Sequence, residues 1–131
     1  MRVTLYYEKL SLEVNAAKSH FEVASPPLLT GRSGITHRFD FIATDGQKNI
    51  AFDICDRVTE TDLIKTFVKQ LDTRASAFII CVSEKMTEGA RRLAAEYGLK
   101  VLRTTSIGLA FRESEISGNS AQSATLLINS R

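Results

Sequence analysis

The apolar positions change period several times along the chain, and each change marks a predicted element. Between Arg2 and about His20, Tyr6, Leu10, Val14, Ala17 and Phe21 follow helical spacing, while Val3, Leu5 and Tyr7 alternate as in a strand; helix fits the longer pattern. Phe21 to Ala24 reads as a short strand, closed by Ser25-Pro26-Pro27, where two prolines remove backbone donors. A loop is expected through Thr30-Gly31-Arg32-Ser33-Gly34. Phe39 to Thr44 and Lys48 to Cys55 are strand-like, and Asp45-Gly46 between them is a strong hairpin signal. Thr59 offers an N-cap with Asp62 three residues on, and Leu63, Ile64, Phe67, Val68 and Leu71 form an apolar stripe of helical period.

Ala77 to Val82 is an uninterrupted apolar run, the pattern of a strand covered on both faces. A capped segment from Ser83 follows, with Ala90, Leu93, Ala94 and Tyr97 repeating helically before Gly98, and then a strand from Leu99 to Arg103. Strand, helix and strand make a βαβ crossover, so these two strands should be parallel and the whole sheet mixed. The predicted class is α/β, a mixed sheet flanked by helices. One domain is expected over residues 1–112, followed by a polar tail over 113–131, ESEISGNSAQSATLLINSR, loosely attached or partly disordered.

The chain has 131 residues, 44% of them hydrophobic and 24% charged, with a net charge of +2. That is the composition of one globular domain in water, and it permits an anionic partner without demanding one. No apolar run approaches the roughly 20 residues that span a bilayer, and no signal segment is visible, so a cytoplasmic domain without membrane contact is expected. Cys55 and Cys81 lie inside apolar runs without CxxC spacing, which reads as buried thiols rather than zinc ligands or a disulfide framework.

The candidate chemistry lies in the hairpin. With Asp45-Gly46 as its central residues, Thr44 faces Gln47 and Asp40 faces Ala51. Asp53 shares the face of Ala51, so the two acids lie diagonally across the strands with Cα atoms roughly 7 to 8 Å apart. A four-residue loop preserves this parity; three or five residues would separate the acids. Two carboxylates among Phe39, Phe41, Phe52 and Ile54 need compensation. A salt bridge to Arg38, Arg57 or Lys48 would supply it, an exposed face would remove the need, and a hard divalent cation such as magnesium is the functional reading.

Ser33-Gly34-Ile35-Thr36-His37-Arg38-Phe39-Asp40, followed by Ala51-Phe52-Asp53-Ile54-Cys55, resembles the restriction-endonuclease-like PD-(D/E)XK superfamily, in its Mrr and archaeal Holliday-junction-resolvase-like branches. The likeness extends from the first helix to about Arg103. It implies a restriction-endonuclease-like mixed sheet, magnesium or manganese at Asp40 and Asp53, and DNA, branched or without sequence preference, as partner. The family's lysine, two residues after the second acid, is Cys55 here. Lys48 falls on the wrong face of its strand by parity. Lys65 and Lys69, four apart on the next helix, could supply the moved lysine or simply be solvated. Glu8 corresponds loosely to an acid that some relatives present to the metal, and reads equally as an exposed helix residue.

Arg32, Ser33 and His37 are candidate nucleic-acid contacts, the first two in a glycine-flanked loop able to meet a phosphate. An ordinary connection and a loop-anchoring histidine are the plainer readings. Arg91, Arg92 and Lys85 could touch a nucleic-acid backbone or form a solvated face. Three functions remain open on this reading. The first is a weakened or inactive nuclease-like module binding DNA or a protein. The second is a working magnesium-dependent endonuclease with its lysine on the following helix. The third is a protein-binding or homodimerisation module.

Overall fold

The computed structural model describes residues 8–12 and 21–104. The rest of the predicted first helix, and the polar tail over 113–131, lie outside the described residues. Residues 8–12 are helical (α1). There follow β1 (Glu22–Val23), β2 (Leu28–Thr30), β3 (Thr36–Arg38), β4 (Phe41–Thr44), β5 (Asn49–Val58), α2 (Glu60–Thr73), β6 (Ser76–Met86), α3 (Glu88–Tyr97) and β7 (Lys100–Leu102).

Five strands form one mixed sheet in the order β1-β4-β5-β6-β7. The pairs β1/β4 and β4/β5 are antiparallel, and β5/β6 and β6/β7 are parallel. The expected α/β class is therefore observed, with the β6-α3-β7 crossover in its predicted place. A second parallel crossover, β5-α2-β6, precedes it. No helix among the described residues is long and apolar enough to cross a membrane.

Alternation along the strands explains why both faces are covered. Phe41, Ala43, Ile50, Phe52, Phe78 and Ile80 point to one face, where Leu10 of α1 joins them. Ile42, Ala51, Ala77, Ile79 and Cys81 point to the other, against Leu63 of α2 and Ala90 and Ala94 of α3. Phe52 packs between Phe41 and Phe78, with centroids 6.0 and 5.7 Å away. Full burial of each such side chain contributes about 1.5–3 kcal/mol.

The expected loop joins the two strands of a small separate hairpin, in which Leu28, Leu29 and Thr30 pair with Arg38, His37 and Thr36, so that of the loop residues only Thr30 belongs to a strand. The structure corrects two local expectations. The third helix starts at Glu88, not near Ser83, because β6 continues to Met86 and the cap is Thr87, whose hydroxyl accepts the Ala90 N–H at 3.1 Å. In α2, Leu63 is fully buried and Thr66 is 2% exposed, whereas Ile64, Val68 and Leu71 of the predicted stripe face solvent. The sheet accepts only one side of that helix, and the side it takes carries Thr66.

The acidic hairpin forms, but its loop is four residues long. Asp45 Oδ1 accepts the N–H groups of Gln47 and Lys48 at 2.8 and 2.6 Å, which holds its carboxyl below the usual range, and Gly46 takes a φ of 94°. Thr44 consequently pairs with Asn49 and Phe41 with Phe52. The ladder ends at that pair, and Asp40, just beyond it with its N–H on the Phe52 carbonyl, stands beside Asp53 at one cavity instead of facing Ala51. The parity argument survives the two-residue shift.

Candidate functional site

Strand β5 carries Asp53 toward α2, and Asp40 stands just before β4 with its N–H donating to the Phe52 carbonyl at 3.0 Å. Helix α2 approaches the acids because its start is pinned by a capping box: Asp62 accepts the Thr59 N–H at 2.9 Å, and Thr59 Oγ1 accepts that of Asp62 at 3.4 Å. Asp62, Thr66 and Lys69 then follow one another down the helix face turned to the acids. Both acids, these three residues, Arg38, Cys55 and Lys65 line one open cavity of about 270 Å³.

Asp53 Oδ2 receives two donors from α2. Thr66 donates its hydroxyl at 2.6 Å, and the Lys69 ammonium lies 2.8 Å away. Lys69 also donates to the Arg38 carbonyl at 2.7 Å and sits 4.4 Å from the centroid of the Phe39 ring. These contacts hold a flexible side chain in one place, with one of its three N–H groups still available. Asp40 Oδ2 accepts the Ile54 N–H at 2.7 Å. Burial, and then the charge of Asp53, push the Asp40 carboxyl above its ordinary value against the opposing effects of that hydrogen bond, Lys69 and Arg38.

Cys55, two residues after Asp53 on β5, lines the same cavity. Burial, followed by the charges of Asp62, Asp53 and Asp40, pushes its thiol up to about 12, so it is neutral at physiological pH. It supplies neither a charge nor a thiolate nucleophile there. Among the sequence candidates, Lys69 reaches the acids; Lys65 is exposed on the cavity rim, and exposed Glu8 is not among the cavity-lining residues.

The acid pair offers hard oxygen donors. Asp40 Oδ1 and Asp53 Oδ1 have no hydrogen-bond partner among the described residues. No group of three or more His, Cys, Asp or Glu side chains able to hold a metal occurs among the described residues. Two carboxylates completed by water and substrate oxygens are a usual magnesium donor set, so the residues present fit such an ion.

Arg32, Ser33 and His37 are not gathered at this cavity. They line a second one of about 420 Å³ with Ile35, Val68, Leu71 and Asp72. The Ser33 N–H and hydroxyl donate to Asp72 at 2.9 and 2.6 Å, His37 Nε2 lies 2.7 Å from Asp72 Oδ2, and the Arg32 N–H donates to the Asp72 carbonyl at 2.9 Å. The Ser33 hydroxyl, then His37, hold the Asp72 carboxyl down at about 2. A Cβ at Gly31 would overlap that carboxylate, so the close approach requires glycine. The loop-anchoring reading of His37 describes its observed role. Ser33 and His37 are engaged in fastening the β2–β3 hairpin to α2, away from the acids.

Sequence reasoning missed Thr66, Asp62 and Asp72. For the first two a signal existed, because Asp62, Thr66 and Lys69 repeat at helical spacing just as the apolar residues do.

No family model matches this chain, and no curated protein matches it. Its fold is similar to that of a solved structure titled a protein of unknown function, AF1548, with a TM-score of 0.56 and 16% identity over 85% of this chain. The chain spans 66% of that protein's length, just under two thirds. The likeness concerns the fold alone.

Proposed function

We propose that this domain is a metal-dependent endonuclease of restriction-endonuclease-like type, acting on DNA, whose catalytic lysine is Lys69. The observation carrying this reading is the Lys69 ammonium 2.8 Å from Asp53, where the family's lysine would otherwise rise from position 55. Of the three functions the sequence left open, the working endonuclease gains most from that geometry.

Asp40 and Asp53 would hold magnesium or manganese. Such an ion polarises the phosphate and lowers the pKa of a bound water. Lys69 would use its remaining N–H to orient the attacking water or a phosphate oxygen, and its charge would oppose the negative charge developing on the phosphate. Thr66 holds the Asp53 carboxylate in one orientation. Arg38 and Lys65, on the cavity rim, supply further positive charge for a phosphate backbone, a sequence-independent mode of contact.

The weakened, DNA-binding reading keeps one specific support: Asp53 Oδ2 is already satisfied by Thr66 and Lys69 without any ion. Cleavage of plasmid, linear duplex and four-way-junction DNA with magnesium and with manganese separates the two. The wild type is expected to cut, and Asp53→Asn and Lys69→Met to lose about a hundredfold or more in rate. Salt-sensitive binding with no cleavage by any protein would favour the inactive module. Neither cleavage nor binding at low salt would favour a protein-binding role.

A further inference from the structure

Helix α2 leaves an apolar seam uncovered on the side away from the sheet. Ile64, Val68 and Leu71 are 45, 52 and 55% exposed. Ile35, at the tip of the β2–β3 hairpin and 59% exposed, shares the second cavity with Val68 and Leu71. These are four of the six large exposed hydrophobic residues among the described residues, gathered on one patch. Scattered exposed apolar residues need no explanation, but a contiguous set marks an interaction surface.

The spacing is informative. Steps of four and then three residues are those of a coiled-coil seam, d-a-d in heptad terms. On that register Lys65 and Asp72 occupy one flank of the seam, and Glu60 and Arg74 the other. When two identical helices pack antiparallel about a two-fold axis, residues on the same flank on opposite sides of the axis meet. With the axis at Val68, Lys65 of each copy faces Asp72 of the other, and Glu60 faces Arg74. Each of these charged encounters then joins opposite signs. A parallel pairing would join opposite signs only between Glu60 and Lys65; it would set Asp72 against Phe67, which is already stacked on Tyr97 at 4.2 Å, and leave Arg74 facing no α2 residue. Both carboxylates are held in place on their flanks, Glu60 by the Thr87 hydroxyl at 2.9 Å and Asp72 by Ser33 and His37.

We infer that α2 is a homodimer interface: a second copy of this chain packs its own α2 antiparallel across Ile64, Val68 and Leu71, with Ile35 closing the edge of the patch. The interface is isologous, so each residue that makes a contact also receives one. It leaves the Thr66 and Lys69 side of the helix facing the acids and places Lys65 between the two surfaces.

Sedimentation of the full 131-residue chain, from low to high micromolar, tests this. The wild type is expected to approach twice the monomer mass of 14.5 kDa as concentration rises. Val68→Glu should remain monomeric with an unchanged circular dichroism spectrum, since Val68 contributes little to the core. Glu60→Arg and Arg74→Glu should each dimerise at least tenfold more weakly. An equimolar mixture of those two variants should regain the dimer, because in their antiparallel heterodimer both encounters between positions 60 and 74 again join opposite charges. A wild type that stays monomeric throughout would overturn the inference, and lower thermal stability of Val68→Glu in that case would assign the seam to another segment of the same chain. A dimer that survives Val68→Glu, or single charge variants that do not recover on mixing, would equally overturn it.

Discussion

The Lys69 ammonium lies 2.8 Å from Asp53 Oδ2, joining the face of helix α2 turned to the acids to the central strand β5. The parallel β5-α2-β6 crossover makes this possible by folding the helix back over the strand that carries the acid. A lysine distant from Asp53 in sequence thereby reaches it in the cavity that Cys55 also lines.

That placement makes a rescue test. In the background Lys69→Met, the further change Cys55→Lys should recover part of the lost cleavage, because position 55 lines the same cavity as both acids. Single-turnover rates in manganese would measure it. No recovery by a folded double variant would mean that a charge at position 55 cannot reach the phosphate.

Asp40→Asn is expected to raise Tm at neutral pH while abolishing cleavage. Burial and the charge of Asp53 raise the Asp40 pKa, so the folded protein holds this proton more tightly than the unfolded chain does. The resulting stability is present at low pH and is lost as pH rises through the raised value. Melting curves of the two proteins should therefore converge as pH falls toward the ordinary carboxyl value of 3.8. A lower Tm for Asp40→Asn at neutral pH would show that the ionised carboxylate is stabilised on balance by Ile54 and Lys69.

Thr66→Val keeps the shape of the side chain and removes the hydroxyl that Asp53 accepts. The expected cost is about 1–3 kcal/mol, since a buried acceptor loses a donor. Urea unfolding would measure it, and Thr66→Ser should restore most of the loss. Equal stability of Thr66→Val and wild type would remove Thr66 from its assigned role.

The β2–β3 hairpin should loosen in acid. Asp72 has its carboxyl held down at about 2, so the stabilisation it contributes is complete above the ordinary carboxyl value and is lost as pH falls from about 4 toward 2. Amide protection factors across Arg32 to Ile35, exchange rates taken relative to the unfolded chain at the same pH, should fall in that window, and exchange at neutral pH should be severalfold faster in Asp72→Ala. Unchanged exchange would mean that the backbone bond from Arg32 holds the hairpin without the side chain.

Much of the architecture was legible from residues alone. The Asp45-Gly46 turn located the acidic hairpin, the Thr59 and Asp62 box located the start of α2, and the apolar run from Ala77 identified a strand buried on both faces. Side-chain alternation put Asp40 and Asp53 on one face even though the loop proved to be four residues long, because a shift of two residues preserves parity. The β2–β3 hairpin was not legible: its strands are three residues each, and its position depends on Asp72, which lies on another element.

Local periodicity thus set where helices and strands form and which side chains share a face, since these follow from backbone geometry within a few residues. It could not choose which face of α2 would be buried. The helix carries apolar residues on two sides, Leu63 and Phe67 beside Thr66 and Lys69 on one, and Ile64, Val68 and Leu71 on the other, and propensity does not distinguish them. Packing decided: the sheet presents the uncompensated carboxylate of Asp53, whose burial is costly unless it is paired, and Thr66 and Lys69 are the α2 residues that reach it.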